Sequence, residues 1–146
     1  SVFVAYGFLL RGEPLPGGMV CLSPWTDLTG SVPSHCTRAQ DDPIIESEGL
    51  HLSALHYAAG TPLDTPYLSP VYGDLTGFPP VLIQVGTNEV LLGDSLLLKK
   101  KLTECGVPVT LSVFDGMWHV FHVFDLPETN QAMEQIRDFL DHLLAV

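Results

Sequence analysis

The chain has 146 residues, 46% of them apolar and 16% charged against roughly 25% in an average soluble domain, so a packed core is expected and a disordered or low-complexity chain is excluded. Seventeen acids against six Lys and Arg leave a net charge of −11, which repels phosphate backbones and anionic lipid and sets nucleic acid aside as a partner. The longest apolar run, Val2 to Leu10, is far short of the ~20 residues that cross a bilayer, so no membrane span is expected.

Residues Ser1 to Arg11 are apolar on nearly every side and are followed by Gly12 and two prolines, as at the end of a buried helix. Gly18 to Pro24 holds the short apolar run Met19-Val20-Cys21-Leu22, which reads as a strand buried on both faces of a parallel sheet. Trp25 to Pro43 is polar and rich in turn formers, and is expected to be an irregular surface connection. Ser47 is placed to cap a helix whose apolar positions are Leu50, Ala54, Leu55, Tyr57 and Ala58, and Gly60 ends it.

A second loop, Thr61 to Phe78, leads to the clearest strand, Val81 to Gly86. Asp94 or Ser95 then opens an amphipathic helix that Gly106 closes, and Val109 to Phe114 forms a third strand. The final helix, Pro127 to Val146, carries Met133, Ile136, Phe139, Leu140, Leu143 and Leu144 on one face. Strands and helices alternate, which specifies an α/β fold with a parallel sheet, three strands and about four helices. Three strands leave such a sheet with open edges, so further strands are expected from outside this sequence. Alone, the chain is expected to self-associate despite its charge.

Cys21, Cys36 and Cys105 are odd in number and irregularly spaced, which favours reduced thiols. With only Arg11 as a cation near the N-terminus, no export signal is legible, and a cytoplasmic location is expected.

Ligand and catalytic groups of parallel sheets gather at the carboxyl ends of strands. The loop after Gly86 offers the carboxylates Glu89 and Asp94, and the loop after Phe114 offers the imidazoles His119 and His122. A carboxylate that accepts the Nδ1 proton of a histidine fixes its tautomer and stabilises the imidazolium, as a general base in acyl transfer requires. A metal reading of His119, His122 and Asp125 lacks the distant third ligand that such sites use, so no metal is expected. Asp27 is read as bracing its own loop.

Three ordered motifs, Leu22-Ser23-Pro24-Trp25-Thr26-Asp27-Leu28-Thr29, Phe78 to Gly86 and Gly116-Met117-Trp118-His119, together resemble the hormone-sensitive-lipase-like (family IV) esterases of the α/β-hydrolase superfamily. The resemblance runs through nearly the whole chain and implies the C-terminal half of a single hydrolase domain. It implies a serine esterase acting on small to medium acyl esters, with His119 as general base and no cofactor. It places the acid at Glu89, 30 residues before His119, where the family usually has Asp. Asp94 is the alternative acid, although it occupies the expected helix N-cap. Phe121, beside the histidine, is the candidate wall of a substrate pocket.

The family's Gly-x-Ser-x-Gly nucleophile elbow and its oxyanion loop do not occur in these residues, so the nucleophile is expected upstream of Ser1 and the chain alone is expected to be inactive. The alternative from another class is a non-catalytic ligand-binding or interaction module on the same fold, as in plant gibberellin receptors, which resemble these esterases but lack the histidine that this chain keeps as His119.

Overall fold

The computed structural model describes residues 2–145, so readings that fall on Ser1 and Val146 lie outside the described residues. Three strands, β1 (Met19–Leu22), β2 (Val81–Gly86) and β3 (Val109–Phe114), form one parallel sheet in the order β1-β2-β3. Met19 lies opposite Val81, and the register of the second pair runs from Val81 and Val109 to Gly86 and Phe114. All of β2 is buried, as its uninterrupted apolar composition requires of a strand paired on both sides and covered on both faces. β1 differs from the expectation, because only Met19 and Cys21 are buried while Val20 and Leu22 are partly accessible. As an edge strand among the described residues it has one covered face, and hydrophobicity alone does not tell which strand is central.

Five α-helices flank the sheet among the described residues: α1 (Val2–Arg11), α2 (Ser34–Thr37), α3 (Ser47–Ala58), α4 (Leu92–Glu104) and α5 (Pro127–Leu144). The main core joins Val2, Ala5 and Tyr6 of α1 to Met19 and Cys21 of β1, Val81 and Ile83 of β2, and Leu98 and Leu102 of α4. Contrary to the expectation of burial on nearly every side, α1 has one buried face, and Val4 and Leu10 are exposed on the other. It ends at Gly12, whose φ of +65° lets the Glu13 amide turn back to the Phe8 carbonyl. The partly buried Phe139 and Leu143 of α5 lie against Gly18, where a Cβ would meet the Leu143 side chain at 2.2 Å. Met133, Leu140 and Leu144, placed on the same predicted face, are exposed. No helix among the described residues is long and apolar enough to cross a membrane.

The connection from residue 25 to 43 departs most from its sequence reading. It contains the short helix α2, and Thr26, Asp27, Leu28, Ser34, His35 and Asp42 are buried. Polar residues tolerate burial here because they satisfy one another. The Asp27 carboxylate accepts the Thr29 amide at 2.9 Å and the Thr29 and Ser31 hydroxyls at 2.5 Å each, the bracing role read from the sequence. Burial pushes the Asp27 carboxyl up, but these donors outweigh it and hold the group below its ordinary value.

Ser47 does not cap α3. Glu46, in extended conformation, precedes the helix, and the Ser47 hydroxyl donates to the His35 carbonyl and so fastens α3 to α2. Ala54 and Ala58 form the buried side of α3, where their small size permits close approach to Leu28 and Leu68, whereas Leu55 and Tyr57 are exposed.

Candidate active site

Glu89 stands in the short loop that carries the chain from β2 into α4, and its side chain is fully buried. One oxygen, Oε1, accepts the Gly86 amide and the Ser23 hydroxyl, the latter at 3.0 Å. The other, Oε2, lies 3.3 Å from Nδ1 of His119 in the loop after β3. The two loops are stitched together at several points. Asn88 donates its amide to the Met117 carbonyl at 2.9 Å, and the Thr87 hydroxyl both accepts the Gly116 amide and donates to Asp115. Gly86 has a steric reason, since a Cβ there would meet the Met117 carbonyl oxygen at 2.1 Å and drive the histidine loop off the strand end.

His119 keeps 21% of its side chain accessible and lines a cavity of about 320 Å³ with Phe3, Leu22, Ser23, Pro24, Trp25 and Val120. Phe3 and Trp25 also border a second, open apolar cavity of about 420 Å³ that Leu28, Ser53 and Tyr57 line as well. A buried carboxylate held by two donors and aimed at Nδ1 has the geometry for fixing the imidazole tautomer beside an open, apolar-walled space.

The other expected residues go elsewhere. Asp94 lies within the first turn of α4, which Leu91 precedes, and is not its N-cap. Its Oδ1 accepts the amides of Thr26 at 3.0 Å and Asp27 at 2.9 Å, and its Oδ2 pairs with His35 Nε2 at 2.8 Å. The alternative acid is thus turned toward the 25–43 connection, because that buried backbone needs acceptors. Phe121 is also corrected as a pocket wall. It is wholly buried against Phe114 and Ala132, since the left-handed Val120 and the turn Phe121–Val123 rotate it inward, and Val120 lines the cavity in its place.

His122 faces β2 and not a metal position: its Nε2 lies 3.1 Å from Gln84 Oε1, while the Gln84 amide donates to the Ala132 carbonyl and to Gln135. No group of three His, Cys, Asp or Glu side chains suited to a metal occurs among the described residues. Burial, reinforced by His119 nearby, lowers the His122 pKa from 6.5 to about 4. With the folded value depressed, its contribution to stability is complete above pH 6.5 and is lost as pH falls toward 4, because the unfolded chain then takes up a proton that the folded one refuses. His122→Gln is expected to flatten the stability profile in that window, by up to about 3 kcal/mol between its ends. Urea midpoints at several pH values across the window check this, and an unaltered slope would assign the titration to another group.

Two residues carry more of the site than their sequence context suggests. Ser23, at the carboxyl end of β1, bonds both to Glu89 and to the Val120 amide, which it accepts at 3.2 Å. Asp42 accepts the Val90 amide at 3.0 Å and so holds the acid loop from the far side. A serine at a strand's carboxyl end was a legible signal, whereas Asp42 before Pro43 resembles any turn aspartate.

Known proteins resemble this chain in sequence and in fold. The family model for the alpha/beta hydrolase fold matches residues 2–123. An acetyl-hydrolase of Streptomyces hygroscopicus is 43% identical over 131 residues, which are 88% of this chain and 44% of that protein. An esterase of Acinetobacter venetianus is 34% identical over 98% of this chain and 49% of its own length. The crystal structure of an esterase from the bacterial hormone-sensitive lipase family superposes with a TM-score of 0.91 at 40% identity, covering 95% of this chain and 48% of that one. The chain spans about half the length of the curated relatives it matches. Identity at this level over nearly the whole chain reflects common descent as well as shared shape: the chain belongs to the alpha/beta hydrolase fold family, with hormone-sensitive-lipase-type esterases among its relatives.

Proposed function

We propose that this chain supplies the general base and the orienting acid of a serine carboxylesterase that hydrolyses small to medium acyl esters. The observation that carries the reading is the 3.3 Å pairing of His119 Nδ1 with the fully buried Glu89, beside an accessible cavity. His119 takes the proton of a serine hydroxyl through Nε2 as that oxygen attacks the ester carbonyl, and Glu89 stabilises the imidazolium. His119 then returns the proton to the departing alcohol. In the second half it deprotonates a water that attacks the acyl-enzyme, and the serine leaves protonated.

No cofactor takes part in this scheme. In this reading the nucleophile and the oxyanion donors are supplied by a segment outside this sequence, which spans about half the length of its relatives. That segment completes a single hydrolase domain and pairs with the open edge of β1. The names of the relatives, acetyl-hydrolase and esterase, support the substrate class, as do the apolar walls Phe3 and Trp25.

The test is hydrolysis of p-nitrophenyl butyrate by the complete enzyme and by the 146-residue chain. The complete enzyme is expected to turn over and to be trapped by a serine-directed phosphonate, with His119→Ala abolishing both, while the chain alone stays at the imidazole background. A burst with a stable acyl-enzyme on the chain alone, or full activity in His119→Ala, would overturn the assignment.

A further inference from the structure

Among the described residues, Ser23, Ala59 and Val120 are the non-glycine residues with left-handed backbone, at φ of +45°, +48° and +49°. Ala59 follows the last turn of α3, where such a conformation commonly ends a helix. Ser23 and Val120 have no such reason. They lie 97 positions apart and are joined to each other, the Val120 amide donating to the Ser23 hydroxyl oxygen at 3.2 Å. A β-branched residue in this region is costly, and such strain persists only where surrounding contacts over-determine it. Here the strained pair closes on the acid, because the same hydroxyl donates its proton to Glu89 Oε1 at 3.0 Å.

We propose that Ser23 is a positioning residue that couples the acid to the histidine: its hydroxyl fastens the Glu89 carboxylate and the backbone next to His119 to the end of β1. The inference rests on the esterase reading above. The bonds run in the directions this role requires. Ser23 has one proton to give and gives it to the carboxylate, and its lone pair takes the amide of the residue that follows His119. With Ser23 3% exposed and Glu89 fully buried, water does not readily replace either bond. The left-handed conformation at Ser23 turns the chain out of β1 at the point where its Oγ meets both loops, and the same turn in Val120 sends Phe121 into the core while His119 stays at the cavity. Ser23 also lines that cavity, yet its hydroxyl proton is engaged by Glu89 and not by His119, which separates it from a nucleophile.

The experiment uses the complete enzyme and p-nitrophenyl butyrate, with Ser23→Ala and Ser23→Gly measured beside wild type and Glu89→Gln. Alanine removes the hydroxyl and keeps the backbone strain, whereas glycine removes both and adopts a positive φ freely, so a folding defect in the first does not carry over to the second. In both variants kcat is expected to fall about 10- to 100-fold with KM within twofold, the scale of a lost hydrogen bond to a buried charge. With one donor gone, less of the carboxylate's charge is neutralised beside His119 and the imidazolium is favoured, so the acid limb of the kcat/KM profile, which reports the general base, is expected to move to higher pH in both. A merely structural role would not move that limb. Unchanged kcat and acid limb in Ser23→Gly, or a loss confined to KM, would overturn the proposal. An inactive wild type, or a fully active Glu89→Gln, would instead overturn the esterase reading.

Discussion

Replacing Glu89 by Gln in the complete enzyme is expected to lower kcat by a factor on the order of 10³ to 10⁴ while KM stays within a few-fold. The reason lies in which oxygen does what. Oε1 accepts two donors, the Gly86 amide and the Ser23 hydroxyl, so the single oxygen of Gln is drawn to that place. The amide nitrogen must then occupy the Oε2 position, 3.3 Å from His119 Nδ1, and present a donor where an acceptor stood. The imidazole answers by accepting at Nδ1 and carrying its proton on Nε2, and in that tautomer it cannot take a proton from a nucleophile. Glu and Gln are nearly isosteric, so the fold should survive, and a thermal melt close to wild type is part of the expected result. Steady-state kinetics with p-nitrophenyl butyrate check the prediction; activity retained within tenfold would remove Glu89 from the role.

The second large effect falls on stability. Asp94→Ala is expected to destabilise the protein by about 3 to 5 kcal/mol, the scale for leaving several buried donors without their shared acceptor. Three groups lose their acceptor at once: the Thr26 and Asp27 amides and the His35 ring. All belong to buried residues of the connection, and Asp94 itself is fully inaccessible. Asp94→Asn is expected to cost less, roughly 1 to 3 kcal/mol, because its carbonyl can keep the two amides while its nitrogen opposes His35. Both variants, assayed below their melting temperatures, should keep kcat within a few-fold of wild type. Urea unfolding decides the matter. A change below about 1 kcal/mol for Asp94→Ala would mean that water or a neighbour replaces the lost acceptor, and a loss of kcat comparable to that of Glu89→Gln would make Asp94 a partner in the chemistry.

These two carboxylates show where sequence reasoning works and where it stops. Both stand after β2, five positions apart, and either residue type could orient an imidazole. Their local contexts differ too little to separate them, and Asp94, a preferred N-cap type, lies inside the first turn of α4 and not at its cap. What separates them is the far end of each hydrogen bond: His119, 30 positions away, for Glu89, and Thr26, 68 positions away, for Asp94. The complementary error concerns the connection from 25 to 43, whose polar composition resembles a surface loop. Its side chains are polar because they satisfy one another and the buried backbone around Glu89 and Asp94, as with Ser34 between the Val90 carbonyl and the Gly93 amide.

By itself the sequence determined the elements whose signals are local. The apolar run Val81 to Val85 requires a strand with two covered faces, the glycines after α1 and α4 end those helices, and the alternation of strands and helices makes the sheet parallel. It also brought Glu89 and His119 to the same end of the sheet, because both follow parallel strands that pair with each other. Tertiary structure alone decided which face of α1 and α3 is buried, that Phe121 turns into the core, that Asp94 bonds to Thr26, Asp27 and His35, and that Ser23 joins the Glu89 loop to the His119 loop. Periodicity and capping are carried by neighbours within a turn of chain, whereas a hydrogen bond between residues 23 and 120 depends on the register of the strands and the curl of three loops, and no local pattern encodes it.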